Sequence, residues 1–326
     1  MLVDHNSVNR FAECLKSRGK QPSTVESYCR DANRFLEFLN ASNTAPSQVD
    51  PNTLVAYQNF LKSDCSEREN SVRRAVIGVR QFYRFLSDSH HIQATPFDSV
   101  PIPSRDETLP NDLSDDDIDN LLQVALSGKP DFKAARDAAI VSLLAHEGLK
   151  ANEVIALTWR DYVREGNRGW LHVAGTKARS VPLSDDTNAF LDGYKRYYEE
   201  LKHPAILNCK EKRMFIAFKG RDAASPLPVM TRHGLKFILY EIGEKVGLSH
   251  LNTEQLRHFA VNYLMSLGKT PEEIMAHLGL RRLGNIAKHF ARKKKHLANG
   301  NGAVAAGAVA AQAAVISGAL NGATPA

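Results

Sequence analysis

Apolar side chains recur at intervals of three and four residues through four successive segments of the first third of the chain, a periodicity that fits helices and excludes strands. The clearest segment places Val25, Tyr28, Cys29, Ala32, Phe35, Leu36 and Leu39 on one helical face. Ser23 and Glu26 open it with the spacing of a capping box, in which hydroxyl and carboxylate reciprocally satisfy first-turn amides. Ahead of it, Val8, Phe11, Cys14 and Leu15 define a first helix. Behind it, Asp50-Pro51 supplies an N-cap and a first-turn proline to a third, lined by Leu54, Tyr57, Phe60 and Leu61. A fourth helix, from about Glu67 to Leu86, buries Val72, Ala75, Val76, Val79, Phe82, Tyr83 and Leu86. Its other faces carry Arg73, Arg74, Arg80, Gln81 and Arg84. Together they predict a helical bundle over residues 1–97.

Pro96, Pro101, Pro103 and Pro110 then interrupt helix formation, and residues 98–112 read as an extended linker. Ser114 is placed to cap a new helix whose Asp115, Asp116 and Asp117 favour the positive end of the dipole. A second domain, residues 113–296, follows. A helix runs from Phe132 to Gly148, where glycine suits a left-handed cap, and another opens at Lys150-Ala151-Asn152-Glu153. Trp170–Val173 and Ser180–Leu183 read as two strands joined by the basic turn Gly175–Arg179. Further helices are expected near Asp185–Leu201, Arg232–Val246, Glu254–Leu267 and Pro271–His277. The expected fold class is mainly α: a bundle, then a mostly helical domain with one small antiparallel sheet. Residues 297–326 are rich in alanine and glycine and uncharged, which predicts disorder, or a weak helix over Val304–Leu320 where a partner covers its apolar side.

With 326 residues the chain is long enough for two cores. No apolar run reaches membrane-spanning length and Met1–His5 does not open a signal peptide, so the expectation is a cytoplasmic protein with no membrane partner. Cys14, Cys29, Cys65 and Cys209 are widely spaced and form no metal-ligand or disulfide pattern. Buried free thiols are expected, with no metal and no cofactor. A net charge of +6 permits nucleic-acid binding without establishing it.

The run Thr253-Glu254-Gln255-Leu256-Arg257-His258-Phe259, followed by Ala276-His277-Leu278-Gly279-Leu280, resembles the C-terminal half of the tyrosine recombinase (phage integrase) family in its Xer-like form. There, His-x-x-Arg-His precedes Leu-Gly-His and then the nucleophilic tyrosine. Thr24-Val25-Glu26-Ser27-Tyr28, Ser71–Arg74 with Gln81–Leu86, Leu109-Pro110 with Leu113-Ser114, Glu147–Lys150 and Lys177-x-Arg179-x-Val181-Pro182-Leu183 are similar to further family segments in the same order. The resemblance implies a SAM-like core-binding domain and a catalytic-type domain closing as a clamp on duplex DNA, with Arg73, Arg74, Arg80 and Arg84 approaching phosphates. Lys150, Lys177, Arg179, Arg257, Arg281, Arg282 and Lys288 join them as candidate DNA contacts. The family reaction attacks a phosphodiester with a tyrosine hydroxyl, expels a 5′-hydroxyl, and depends on preorganised cations.

Position by position, that chemistry is degenerate here. The first family arginine corresponds to Lys150, which keeps charge and loses the planar fork. The turn lysine corresponds to Ala174, and Lys177 is by register the second lysine of the pattern. The histidine before Arg257 is Glu254; ionised and facing the same pocket, it would repel a phosphate or pair with Arg257 or Lys150. The histidine of Leu-Gly-His is Leu280, which donates no hydrogen bond. His258 is expected to pack and hydrogen-bond. The nucleophile position falls on His289 or Phe290, and no tyrosine follows Tyr263. Arg257 alone is retained.

Three readings follow. The leading one is a non-catalytic DNA-binding protein of this fold, architectural or regulatory and nucleoid-associated. A basic run, Arg281-Arg282, Lys288 and Arg292–Lys295, supports it, since no acidic residue follows Glu273. The alternatives are a divergent recombinase cleaving through His289 or an unrecognised residue, and a protein-interaction module or partner subunit of an active recombinase. Self-association through the C-terminal tail is a further expectation.

Overall fold

The structure is a computed structural model and describes residues 5–89, 92, 97, 99–104, 112–127, 131–175, 177–210, 212–218, 226–280 and 286. The chain divides into two compact units, Met1–Thr108 and Leu109–Ala326.

In the first unit four helices, α1 (His5–Ser17), α2 (Pro22–Ala41), α3 (Pro51–Ser63) and α4 (Glu69–Asp88), bury the apolar stripes that the periodicity marks. Aromatic rings fill the centre, with Phe35 against Tyr57 and Tyr83 against Phe97, each pair 4.8 Å between centroids. The start of α3 is as expected: Asp50 accepts from the Thr53 amide at 2.7 Å, with Pro51 in the first turn. The capping box expected at Ser23 and Glu26 is not formed. Gln21 is the N-cap and makes no side-chain cap bond, because Pro22, with its pre-set φ, already begins the helix and places Ser23 inside the first turn. Phe97 and Val100 are buried in the bundle core, so the proline-rich segment is packed on the bundle where it leaves it. The four cysteines are free but only half-buried, contrary to the expectation of burial; Cys14 and Cys29 lie against the rim of the core.

The second unit contains α5 (Asp115–Ala125), α6 (Phe132–Ala145), α7 (Ala151–Ala156), β1 (Tyr162–Glu165), β2 (Arg168–Val173), β3 (Arg179–Pro182), α8 (Asp185–Glu200), α9 (Pro204–Leu207), β4 (Ala217–Phe218), β5 (Pro226–Leu227), α10 (Arg232–Lys245), α11 (Thr253–Ser266) and α12 (Pro271–Leu278). Ser114 caps α5 as expected, in a box with Asp117. α6 is apolar nearly all round, buried from Ala138 to Ala145, and α5, α8 and α11 pack around it. The sheet runs β1-β2-β3, antiparallel, with Leu171 opposite both Tyr162 and Val181. This corrects the expectation of a single two-stranded sheet. β1 is Tyr-Val-Arg-Glu, buries only Tyr162 and shows no alternation to read, while β4 and β5 form a second sheet of two residues each.

The helix expected to reach Gly148 also ends early, at Ala145. Gly148 is left-handed, φ +59°, and its role is close approach: a Cβ there would lie 2.4 Å from Leu278 Cδ2 and 2.8 Å from Ala260 Cβ. The turn after α6 is thereby pressed against α11 and the end of α12. No described helix is long and apolar enough to cross a membrane, and no group of His, Cys, Asp or Glu among the described residues is arranged to hold a metal.

Candidate functional site

Three cations of the motif segments, Lys177, Arg179 and Arg257, meet at the carboxyl end of α12. This helix stops at Gly279, φ +62°, where the Gly279 and Leu280 amides turn back to donate to the carbonyls of Ala276 (3.2 Å) and Met275 (2.9 Å). Three carbonyls are left over, and each is taken by a cation from elsewhere in the unit. Arg179 Nε donates to His277 O at 2.6 Å, Arg257 Nη2 to Leu278 O at 2.7 Å, and Lys177 Nζ to Gly279 O at 2.5 Å. Positive charge at a helix C-terminus is also favoured by the macrodipole.

One carboxylate organises the cations from below. Glu153 accepts both forks of Arg179, at 2.9 and 3.1 Å, and the Lys150 amide at 2.9 Å, while Lys150 Nζ lies 3.5 Å from its other oxygen. Burial alone would raise the Glu153 carboxyl, but the hydrogen bonds from Arg179 and the Lys150 amide outweigh it and hold the group below the usual carboxylate range. Arg257 also donates to the Gly148 carbonyl, and its residue is only 8% exposed. Its guanidinium is lowered by burial, against which the charges of Glu153 and Glu254 act.

Lys150, Lys177, Arg179 and Arg257 are thus brought together, but Arg179 and Arg257 are built into the scaffold and do not project as free phosphate contacts. Glu254 is exposed on the first turn of α11 and forms no ion pair with Arg257 or Lys150, so neither contemplated pairing occurs. Ala174 is exposed at the end of β2. Leu280 is half-buried against Val261, Leu264, Met265, Ile274, Leu278 and Ile286. His258 is half-buried, and burial holds its imidazole below the ordinary range. Tyr263 stacks on Phe259 and lies 4.8 Å from the His146 ring; burial pushes its phenol up to about 12. Arg281, Arg282, Lys288, His289 and Phe290 lie outside the described residues, as do the rest of the basic run and the tail.

Two residues of this neighbourhood escaped the sequence reading. Glu153 stands three residues after Lys150, a helix-start spacing that marks it in retrospect. Arg232, the first residue of α10, donates through Nε to Asn152 of α7 and brings another cation beside Lys150.

In the first unit the arginine stripe of α4 is also largely engaged. Arg74 forks onto the buried Asp31 at 3.1 and 2.9 Å, and Arg73 and Arg80 donate to the carbonyls of Pro103 and Val100. Arg84 remains exposed. Arg73, Arg74 and Arg80 thus each have an acceptor within the unit. Their helical spacing places them beside α2 and the segment leaving the bundle, both of which offer acceptors.

Beneath the second-unit cluster runs a buried polar chain. His146 Nδ1 lies 3.1 Å from Ser142 Oγ, which is 2.7 Å from Thr187 Oγ1. Ser184 is 2.8 Å from Thr187 Oγ1 and gives both its amide and hydroxyl to Glu147, whose second oxygen is 3.3 Å from His277 Nε2. Burial pushes His146 below the ordinary histidine range, so the folded protein resists a proton that the unfolded chain accepts near pH 6.5. Stability from this group is complete above that pH and is lost as pH falls toward the lower folded value. His258 acts in the same direction. For Glu147, burial raises the carboxyl but His277 and Ser184 win, holding it low and extending the loss below about pH 4.5. Urea midpoints should therefore fall as the pH is lowered from 7.5 to 5.5, most steeply below pH 6.5. A His146→Gln variant should show a shallower fall, and a flat wild-type profile would contradict the assignment.

Comparison with known proteins gives the wider setting. Residues 8–91 match the family described as phage integrase, N-terminal SAM-like domain, and residues 111–296 match the phage integrase family. The tyrosine recombinase XerC of Herpetosiphon aurantiacus is 25% identical over 263 residues, covering 80% of this chain and 82% of the relative. The tyrosine recombinase XerD of Oceanobacillus iheyensis is 26% identical over 267 residues, covering 80% and 85%. Among solved structures, the XerH site-specific recombinase bound to palindromic difH substrate, a post-cleavage complex, aligns with a TM-score of 0.66 at 16% identity, over 91% of this chain and 89% of that one. A lambda integrase dimer bound to a COC′ core site aligns at 0.63 and 14% identity, over 87% and 76%. At these identities the structural likeness establishes the fold.

Proposed function

The chain belongs to the phage integrase family, that of the tyrosine recombinases, and from this premise we propose that it binds duplex DNA through its phosphates without carrying out strand transfer. The observation that carries the second half is the state of the cation set. Lys150, Ala174, Glu254 and Leu280 replace residues that the resemblance assigns to the reacting phosphate, and the retained Arg257 donates to two main-chain carbonyls. Phosphodiester cleavage requires a nucleophile, a proton for the departing oxygen and donors aimed at the charge that develops, and removing one such donor typically costs about 10² to 10³ in rate. Several are changed together.

DNA binding is supported by the family and by basic side chains that include Lys150, Arg232, Arg84 and the run after Leu280. The solved relatives described as bound to their DNA sites, one of them as a dimer, favour a protein that acts on duplex DNA and self-associates. In this reading it works in the cytoplasm on the nucleoid, in an architectural or regulatory role, with the uncharged tail as the segment that joins copies.

Gel-shift titration of a duplex across a salt series tests the binding. Each pair of phosphates neutralised should cost about tenfold in affinity between 50 and 200 mM salt, and absence of binding at low salt would refute the proposal. Nicked suicide duplexes test the chemistry: no denaturant-resistant adduct is expected, and an adduct abolished by His289→Ala would make the protein an enzyme.

A further inference from the structure

Lys177, Arg179 and Arg257 are each engaged by the protein's own main chain. Arg179, Arg257 and Lys177 come from β3, α11 and the β2–β3 turn, 98, 21 and 102 residues from the carbonyls they meet, so none is a local helix cap. A helix of eight residues is far below the length that is stable on its own. The last turn of α12 is therefore held largely by side chains whose planar, multi-donor or ammonium heads are also suited to phosphate oxygens. Gly279 adds a steric condition. A Cβ at this position would lie 3.0 Å from Arg179 Nη1, so the glycine lets the guanidinium close onto the helix end as well as adopting the left-handed φ.

We propose that the carbonyls of His277, Leu278 and Gly279 are the internal occupant of this cation cage, and that a phosphate entering the cage displaces them and loosens the end of α12. The device deepens the DNA-binding reading and rests on it for its natural ligand, a backbone phosphate. Lys177 is the movable member, half-buried on the turn. Arg179 and Arg257 are the fixed members, because Arg179 is forked onto Glu153 and Arg257 also grips the Gly148 carbonyl.

Amide hydrogen exchange at Gly279 and Leu280, whose N–H groups close the last turn of α12, reads the proposal directly. In the full chain without ligand, Arg179→Gln and Lys177→Gln should each raise exchange at these two amides by about tenfold or more, the scale expected for a charge-assisted hydrogen bond. The amides of α5 should be unchanged, which separates local release from unfolding. Inorganic phosphate titrated into the wild type, and then a duplex, should produce the same local rise. Unchanged exchange in both variants, or unchanged exchange under phosphate, would overturn the device. Duplex binding followed in parallel by fluorescence anisotropy keeps the two readings apart. A duplex that binds without releasing the turn sinks only the device, whereas release by phosphate with no duplex binding sinks only the DNA reading.

Discussion

Replacing Arg257 with alanine should destabilise the second unit by about 3 to 6 kcal/mol, because two buried carbonyls lose hydrogen bonds from a charged donor worth about 1.5 to 3 kcal/mol each. The carbonyls are those of Gly148 and Leu278, and removing the side chain leaves both without that donor in a region where the arginine itself is only 8% exposed. Arg257→Lys should recover part of the loss, since an ammonium reaches one carbonyl and lacks the fork that spans two. Urea midpoints of wild type and both variants are the measurement. A loss below about 1 kcal/mol for Arg257→Ala would mean that the residue behaves as an ordinary surface arginine. The retained motif arginine is thus expected to be required for folding whatever its part in binding.

The second large effect is expected at the residue that Arg257 holds. Gly148→Ala should cost about 2 to 5 kcal/mol, combining a left-handed backbone for an L-residue with forced overlap in a packed site. The contacts are short enough to make relief by small shifts insufficient: 2.4 Å to Leu278 Cδ2 and 2.8 Å to Ala260 Cβ. At about 2 to 4 °C per kcal/mol for a unit of this size, the melting temperature should drop by roughly 4 to 20 °C. Calorimetry checks this, and Gly166→Ala is the control. That glycine is also left-handed, φ +60°, but a Cβ there meets nothing within 4 Å, so only the backbone cost applies. Equal losses at the two glycines would show that the close approach to α12 contributes nothing. Since Gly148 and Arg257 share one contact, the double variant should lose less than the sum of the singles.

How much of this was legible beforehand depends on the range of the interaction concerned. Helices with a clean apolar stripe, such as α2 and α4, are written in periodicity, and the caps at Asp50 and Ser114 in local side-chain chemistry. β1 was not legible, because an edge strand that buries only Tyr162 carries no alternation. At α2 a plausible capping pair lost to a proline one residue earlier. Of the site, the sequence identified which positions are altered and that Arg257 is retained. It did not reveal that the cations are occupied: the partners of Arg179 and Arg257 include backbone carbonyls, which every residue has and no motif marks. The same holds for Arg73 and Arg80. Arg74 has a side-chain acceptor, Asp31, but it lies 43 residues away on another helix.

The way the chain leaves the bundle bears on how the protein can be divided. Phe97 fits its ring against Phe35 and Tyr83, Val100 closes the same core, and Arg80 and Arg73 clasp the carbonyls of Val100 and Pro103. A fragment cut at the end of α4 would open a hole beside Phe35 and remove a main-chain acceptor from each of two guanidinium groups. One carried to Thr108 would retain its plug, so the bundle's smallest self-sufficient piece extends well past its last helix.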